Sequence, residues 1–300
     1  MKKRMLVSLL LATAAAATLS ACGSGSKPAE TQATTNQGGG DITSAAEEET
    51  EAEAEEEASA GSDRYLVWRL NKEPKLWDPT NNSESISDAI VKQLFEGLTV
   101  STSDGFKPGI AESWDVSEDG KTYTFHLRDG VKWHDGEPFT SADVAFTLTS
   151  LAAPTYKGGA DSRIVSIVGA KAYQEGSADS VSGITTPDDK TVVVELEEAN
   201  AAFIGNMYTC ILPKHILGDV DPGTWDTDDF NRHPIGTGKY KFVEWKSGQY
   251  IELEKNEDYF GAKPSIDRVY VKFGDETTLT ASLINGELDV LYGLSASEIE

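Results

Sequence analysis

Strict alternation over Lys121–Leu127 limits this part of the chain to one kind of local structure. Tyr123, Phe125 and Leu127 fall on one side, and Thr122, Thr124 and His126 on the other. Such a period-two pattern fits a strand with one face buried. Asp119-Gly120 precedes the strand, Asp129-Gly130 follows it and Asp135-Gly136 comes shortly after. Each pair suits a tight turn, because glycine takes positive φ at little cost. The segment therefore reads as short antiparallel strands. After Pro138, Thr140 with Asp143 three residues on gives a capping-box-like start to a helix bearing Val144, Phe146 and Leu148.

The same reading extends outward. Tyr65–Leu70 is apolar enough for a strand buried on both faces, and a polar loop, Asn71 to Glu84, follows it. Ile86, Ala89, Ile90 and Leu94 recur at helical spacing, with Ser85 and Asp88 placed to cap the start and Gly97 placed to stop it. Leu98 to Val100 resumes a strand. Ser150 to Gly183 is rich in Gly and Ser, with a short helix expected around Ile164 to Tyr173. Thr191–Leu196 reads as a strand and Ala201–Tyr208 as a short helix. Further on, Tyr240 and Phe242 alternate, Lys246–Gln249 form a hairpin turn, and Ile251 and Leu253 lie on the returning strand. Asn256, Tyr259 and Phe260 make a corner, and Val269, Val271 and Phe273 another strand. Asp275 is placed to cap a helix carrying Leu279, Leu283 and Ile284, with Gly286 as its stop.

The first sixty residues belong to a different regime. Lys2-Lys3-Arg4 and the apolar run Met5–Leu19 have the charged start and hydrophobic middle of an export signal, too short for a spanning helix. Leu19-Ser20-Ala21-Cys22 matches the lipobox of bacterial lipoproteins, so cleavage before Cys22 and lipid attachment to Cys22 are expected. More than one acyl chain gives a durable hold on a bilayer. Gly23 to Gly61 lacks the apolar content needed to offset the entropy of ordering, and reads as a disordered tether extended by its own charge. Nine acids between Asp41 and Glu57 sit in that tether without a basic residue, out of a net charge of −24.

That charge, with a pI near 4.5, excludes a nucleic-acid binder, which needs a basic face. Two cysteines, Cys22 and Cys210, cannot make a disulfide scaffold, so stability must come from a core. Cys210, beside Ile211 and Leu212, reads as a small buried hydrophobe. Gly236-Thr237-Gly238 invites comparison with phosphate-cradling loops, but a strand follows it where those loops lead into a helix. The four histidines, His126, His134, His215 and His233, show no metal-ligand spacing. His134, next to a turn, is expected to be solvated. No Gly-x-Ser-x-Gly elbow or zinc motif appears in the folded body, so an enzyme, a metal site and a cofactor are not expected. Trp68, Trp114 and Trp133 suit core packing, whereas Trp77, in the polar loop, is a candidate for ligand contact.

Two blocks carry a resemblance. Ala111 to Val144, AESWDVSEDGKTYTFHLRDGVKWHDGEPFTSADV, and the stretch from His233 through Asn285-Gly286-Glu287-Leu288-Asp289-Val290 resemble the family 5 extracellular solute-binding proteins. These are oligopeptide, dipeptide and nickel receptors of ABC importers. Leu76-Trp77-Asp78-Pro79 and Pro213-Lys214-His215 resemble the same family's short motifs. The resemblance implies an α/β fold with mixed α+β sheets, a periplasmic-binding-protein-like type II clamshell. It implies a first lobe over 62–104 and 190–290, an inserted subdomain over 105–189, and at 291–300 the start of a second lobe that the chain largely lacks. It implies a receptor, anchored through Cys22 to the outer face of the bacterial cytoplasmic membrane, that captures short peptides for an ABC permease and acts as a monomer. The loop before the helix lies in the cleft of that family, making Trp77, Asn81, Asn82, Ser83 and Glu84 the ligand-facing candidates. The plain alternative is a connector whose polar side chains cap the next helix. Alternative functions are a nickel-chelate or oligosaccharide receptor, a peptide-pheromone receptor, and a surface peptide hydrolase.

Overall fold

The computed structural model describes residues 64–70, 72–74, 77, 79–80, 85–158, 163–274 and 282–292. All of them fall in one unit, Ala60–Glu300. The export signal, Cys22, the acidic tether, Asn81–Glu84 and Asp275 with Leu279 lie outside the described residues.

Two sheets organise the chain. The first holds five strands: β1 (Tyr65–Leu70), β8 (Tyr240–Lys246), β9 (Tyr250–Lys255), β10 (Arg268–Phe273) and β11 (Val290–Tyr292), in the order β11-β1-β10-β9-β8. β1 runs parallel to both neighbours, with Tyr65 opposite Arg268 and Leu70 opposite Phe273 on one side and Trp68 opposite Val290 on the other. Parallel neighbours require a crossover, so the chain between β1 and β10 must leave the sheet and return. β8 and β9 form the hairpin expected at Lys246–Gln249, turned at Gly248 with φ +74°. Ile251, Leu253 and Val271 are wholly buried, as the alternation requires.

The second sheet comprises β4 (Ala111–Val116), β5 (Thr122–Leu127), β6 (Ile184–Asp188) and β7 (Thr191–Glu195), in the order β4-β5-β7-β6, all antiparallel. Tyr123, Phe125 and Leu127 are buried together with Val192 and Val194 of β7. On the opposite face His126 Nε2 meets Asp115 Oδ2 at 2.8 Å. Gly120, Gly130 and Gly136 all take positive φ, so the three Asp-Gly turns form where expected. The β6–β7 hairpin crosses the division expected between 189 and 190, with Asp188 opposite Thr191. One continuous core joins Leu70, Ile251 and Val271 of the first sheet to Phe125 and Val192 of the second. The two sheets therefore share one interior.

Helix α1 (Ser85–Leu94) carries Ile90, Val91 and Leu94 into the core, and α2 (Ser141–Leu151) packs on β6 and β7. The start of α2 is held by Asp143, whose carboxylate accepts the Thr140 amide at 2.9 Å and, from its other oxygen, the Lys214 amide at 3.1 Å. The helix expected from Ile164 is reduced to α3 (Ala170–Gln174), because Gly169 before it is left-handed at φ +78° and the chain cannot spiral through it. Ala201–Asn206 is a 3-10 turn whose Asn200 side chain accepts the Ala202 amide at 3.0 Å. A short α4 (Lys214–Leu217) follows. Among the described residues no helix is long and apolar enough to cross a membrane.

Gly97 differs from the expectation that it stops α1. The helix ends at Leu94, and a Cβ at Gly97 would lie 2.6 Å from the carbonyl carbon of Tyr208. The residue is small because another backbone passes against it. The helix end is closed by the Gly236-Thr237-Gly238 strip: the Gly238 amide donates to Leu94 O at 2.8 Å, and a Cβ at Gly236 would fall 1.8 Å from that oxygen. These glycines cover a helix C-terminus, the end whose exposed carbonyls repel anions.

Candidate functional site

A hollow of about 520 Å³ opens beside the end of the polar loop. That volume lies within the roughly 300–1,000 Å³ range of small-ligand pockets. Pro79 and Thr80 reach it from the loop, Asp88 and Lys92 from α1, and Glu96 from the turn after α1. Its other walls are the hairpin of β2 (Thr99–Thr102) and β3 (Gly105–Pro108) and the segment Tyr208–Cys210. The β2 strand is zipped to that segment: the Thr99 amide donates to Met207 O at 3.0 Å and the Ile211 amide to Glu96 O at 3.1 Å.

Arg163 ties three walls together. Its guanidinium donates to Thr209 Oγ1 at 2.9 Å and to Thr80 O at 3.1 Å, while Tyr156 OH donates to Thr80 Oγ1 at 3.2 Å. On α1, Lys92 pairs with Asp88 one turn earlier at 2.5 Å, and this bond holds the ammonium above its ordinary pKa. Glu96 accepts Tyr259 OH at 2.7 Å. Burial raises the Glu96 carboxyl, and the Tyr259 bond and the Lys239 charge offset only part of that. Burial, followed by the Glu96 charge, also raises the Tyr259 phenol. The half-buried Cys210 thiol is pushed up to about 12, by burial first and then by Asp88 and Glu96, so it is held as an unreactive thiol, as its apolar neighbours suggest.

The sequence candidates fall in different places. Asn81, Asn82, Ser83 and Glu84 lie outside the described residues, but Thr80 and Asp88 on either side of them line the hollow. Trp77 is placed elsewhere than expected: it is completely buried, stacked on Trp245 at 4.7 Å and edge-on to Phe242 at 5.7 Å, so its indole is core. Arg232 lies 4.0 Å over the same Trp245 ring. Glu73 fixes this corner by accepting Trp245 Nε1 at 2.7 Å, Ser247 Oγ at 2.9 Å and the Gly248 amide at 3.0 Å.

His134 is also not the solvated turn residue expected. It is 9% exposed; its Nδ1 accepts the Gly236 amide at 3.1 Å and its Nε2 donates to Gly238 O at 3.2 Å, which fixes the neutral tautomer. Burial lowers its pKa to about 4. His215 pairs with Asp135 at 2.8 Å and His233 with Asp229 at 3.2 Å. No cluster suited to a metal ion occurs among the described residues.

Sequence reasoning missed Thr80, Lys92, Glu96, Arg163 and Tyr208. Thr80, Lys92 and Glu96 lie close together in the chain around the polar loop and α1, but Arg163 and Tyr208 come from far along it, and no local spacing marks them as neighbours of the loop.

Comparison with known proteins accounts for this arrangement. The family model for bacterial extracellular solute-binding proteins, family 5 middle region, matches residues 105–300. The oligopeptide-binding protein AppA of Bacillus subtilis is 34% identical over 223 residues, covering 72% of this chain and 38% of AppA. The solved structure of B. subtilis AppA with a nonapeptide superposes with a TM-score of 0.67 at 32% identity, covering 76% of this chain and 43% of that one. NikZ from Campylobacter jejuni with Ni(L-His) superposes with a TM-score of 0.65 at 30% identity, again over 76% of this chain and 43% of the other. The chain thus spans about two-fifths of the length of these relatives. Its mixed α/β sheets are those of type II periplasmic-binding proteins. A match across most of the described strands, in both sheets, makes the chain a member of the family 5 bacterial extracellular solute-binding proteins.

Proposed function

We propose that the protein is an extracytoplasmic receptor that captures short peptides and delivers them to an ABC permease, without transforming them. The observation that carries this reading is the hollow beside Thr80. It is of ligand size, bordered by strand and loop backbone, and lined by polar groups of both signs. A receptor that accepts many side chains holds its peptide through main-chain hydrogen bonds and leaves the side chains in roomy pockets. The relatives named for oligopeptide binding, and the solved one holding a nonapeptide, support it. Asn81, Asn82, Ser83 and Glu84, which follow Thr80 in sequence, are the residues to which we assign polar contacts with the ligand. Two lobes close on the ligand by hinge motion, driven only by tighter binding to the closed form.

Calorimetry on the full-length protein with mixed di- to pentapeptides, set against nickel-histidine and cello-oligosaccharides, tests the reading. Heat with peptides alone supports it; silence with every peptide ends it. The nickel-chelate reading has one specific observation behind it, the likeness to NikZ with Ni(L-His). None of the four histidines lines the hollow, which favours the peptide.

The receptor is a monomer held to the outer face of the cytoplasmic membrane by lipid on Cys22. Cys22→Ser releases it into the medium and removes metabolic palmitate label. Retention with label refutes the anchor.

A further inference from the structure

We infer that the hollow selects its ligand by an apolar or aromatic side chain seated against Val100, Phe106 and Tyr208. This rests on the peptide-receptor reading and adds the side-chain chemistry to it. Large hydrophobic side chains gain by leaving water, yet Val100 is 37%, Phe106 39% and Tyr208 46% exposed, and all three line the same hollow.

Two glycines shape this wall, one beneath the Phe106 ring and one beneath the Tyr208 backbone. The Phe106 ring lies against Gly205, where a Cβ would come within 2.9 Å of it. Tyr208 sits beyond Gly97, where a Cβ would meet its carbonyl carbon at 2.6 Å, and the bonds of Thr99 to Met207 and Ile211 to Glu96 draw its segment in. The Phe106 ring and the backbone that carries Tyr208 are thus placed by close packing before any ligand arrives, which lowers the entropy lost on binding.

Four of the five charged side chains lining the hollow are engaged within the protein. Lys92 is held by Asp88, Arg163 by Thr209 and Thr80, and Glu96 by Tyr259. Lys239 stands exposed at the margin. Away from that margin, a charged ligand side chain loses water to groups that already have partners, whereas an apolar one covers exposed apolar wall.

The test is calorimetry on the full-length protein with tripeptides that differ at one position, Phe or Leu against Gly, Asp and Lys. The expected result is a preference of about tenfold or more for Phe and Leu, as a buried apolar side chain supplies. Tyr208→Ala and Phe106→Ala should each narrow that preference several-fold. Val116→Ala, an exposed hydrophobe away from the hollow, should not change it. Equal affinity across the series, a preference for Asp or Lys, or a preference unmoved by both alanines overturns the inference. If no peptide binds, the peptide reading fails on its own, and N-acetyl-tryptophanamide titrated against ring-labelled protein decides the wall. Shifts at Tyr208 and Phe106 support it, and still resonances there sink it.

Discussion

His134 Nδ1 accepts the amide proton of Gly236 at 3.1 Å, a bond that reaches across 102 positions of sequence and joins the two blocks on which the family resemblance rests. Gly238, two residues on, takes the Nε2 proton and also closes α1 through Leu94. The imidazole must stay neutral to accept from Gly236. Lys241, which donates to His134 O at 3.0 Å, opposes its protonation, and Asp135 favours it.

Burial holds this histidine at about 4, against 6.5 for the ordinary group. The unfolded chain therefore takes up a proton that the folded chain refuses as pH falls below 6.5, and stability drains away until about pH 4. The loss is on the order of 3 kcal/mol. Urea midpoints at pH 7, 5.5 and 4 should show this decline. His134→Gln should be less stable at pH 7 and should flatten the slope; an unchanged slope removes His134 as its source.

Gly236→Ala should be among the most damaging single changes, because the new methyl falls 1.8 Å from Leu94 O, a backbone atom that cannot turn aside. A loss of about 3 kcal/mol or more is expected, typical of severe overpacking. Gly105→Ala meets no neighbour within 4 Å and suffers only from its φ of +102°. Its cost should be nearer 1 kcal/mol. Denaturant midpoints of the two variants give the comparison, and equal costs would contradict it.

Glu73→Gln should weaken the corner where the β8–β9 hairpin meets the polar loop. Burial raises this carboxyl, but the bonds from Trp245, Ser247 and Gly248, with the Arg232 charge, outweigh it and leave the pKa lowered. The stability it contributes is present above its unfolded value of 4.5 and is lost as pH falls through the lower folded value. The variant should cost about 1–2 kcal/mol at pH 7. The gap between variant and parent should close in acid, and a pH-independent gap argues against the ionised carboxylate.

Trp77→Ala should lower stability by about 3–5 kcal/mol, the usual cost of emptying a buried aromatic site. With the fold kept by low temperature, ligand affinity should change little, because the indole stacks on Trp245 inside the core. Calorimetry at 10–15 °C separates the two effects. A selective loss of affinity at unchanged midpoint would return Trp77 to the ligand.

What could be read in advance was local. The β5 alternation, the three Asp-Gly turns, the Asp143 bond at the start of α2 and the Lys246–Gln249 hairpin each depend on residues a few positions apart. What escaped depends on partners that only folding brings near. Gly97, Gly236 and Gly238 are small because of Tyr208 and Leu94, and Trp77 is buried because Trp245 arrives from far along the chain. The hollow was legible only at its Thr80 edge, through the polar loop.

The placing of β1 between β10 and β11 has a consequence for how the protein is made. Tyr65 emerges from the ribosome some two hundred residues ahead of its neighbour Arg268, so the first of the described strands waits for partners made much later. Contacts so distant in sequence form slowly. In a chain arranged this way the second sheet, whose strands all lie between β1 and β10 in sequence, has its full set of partners before the first sheet can close.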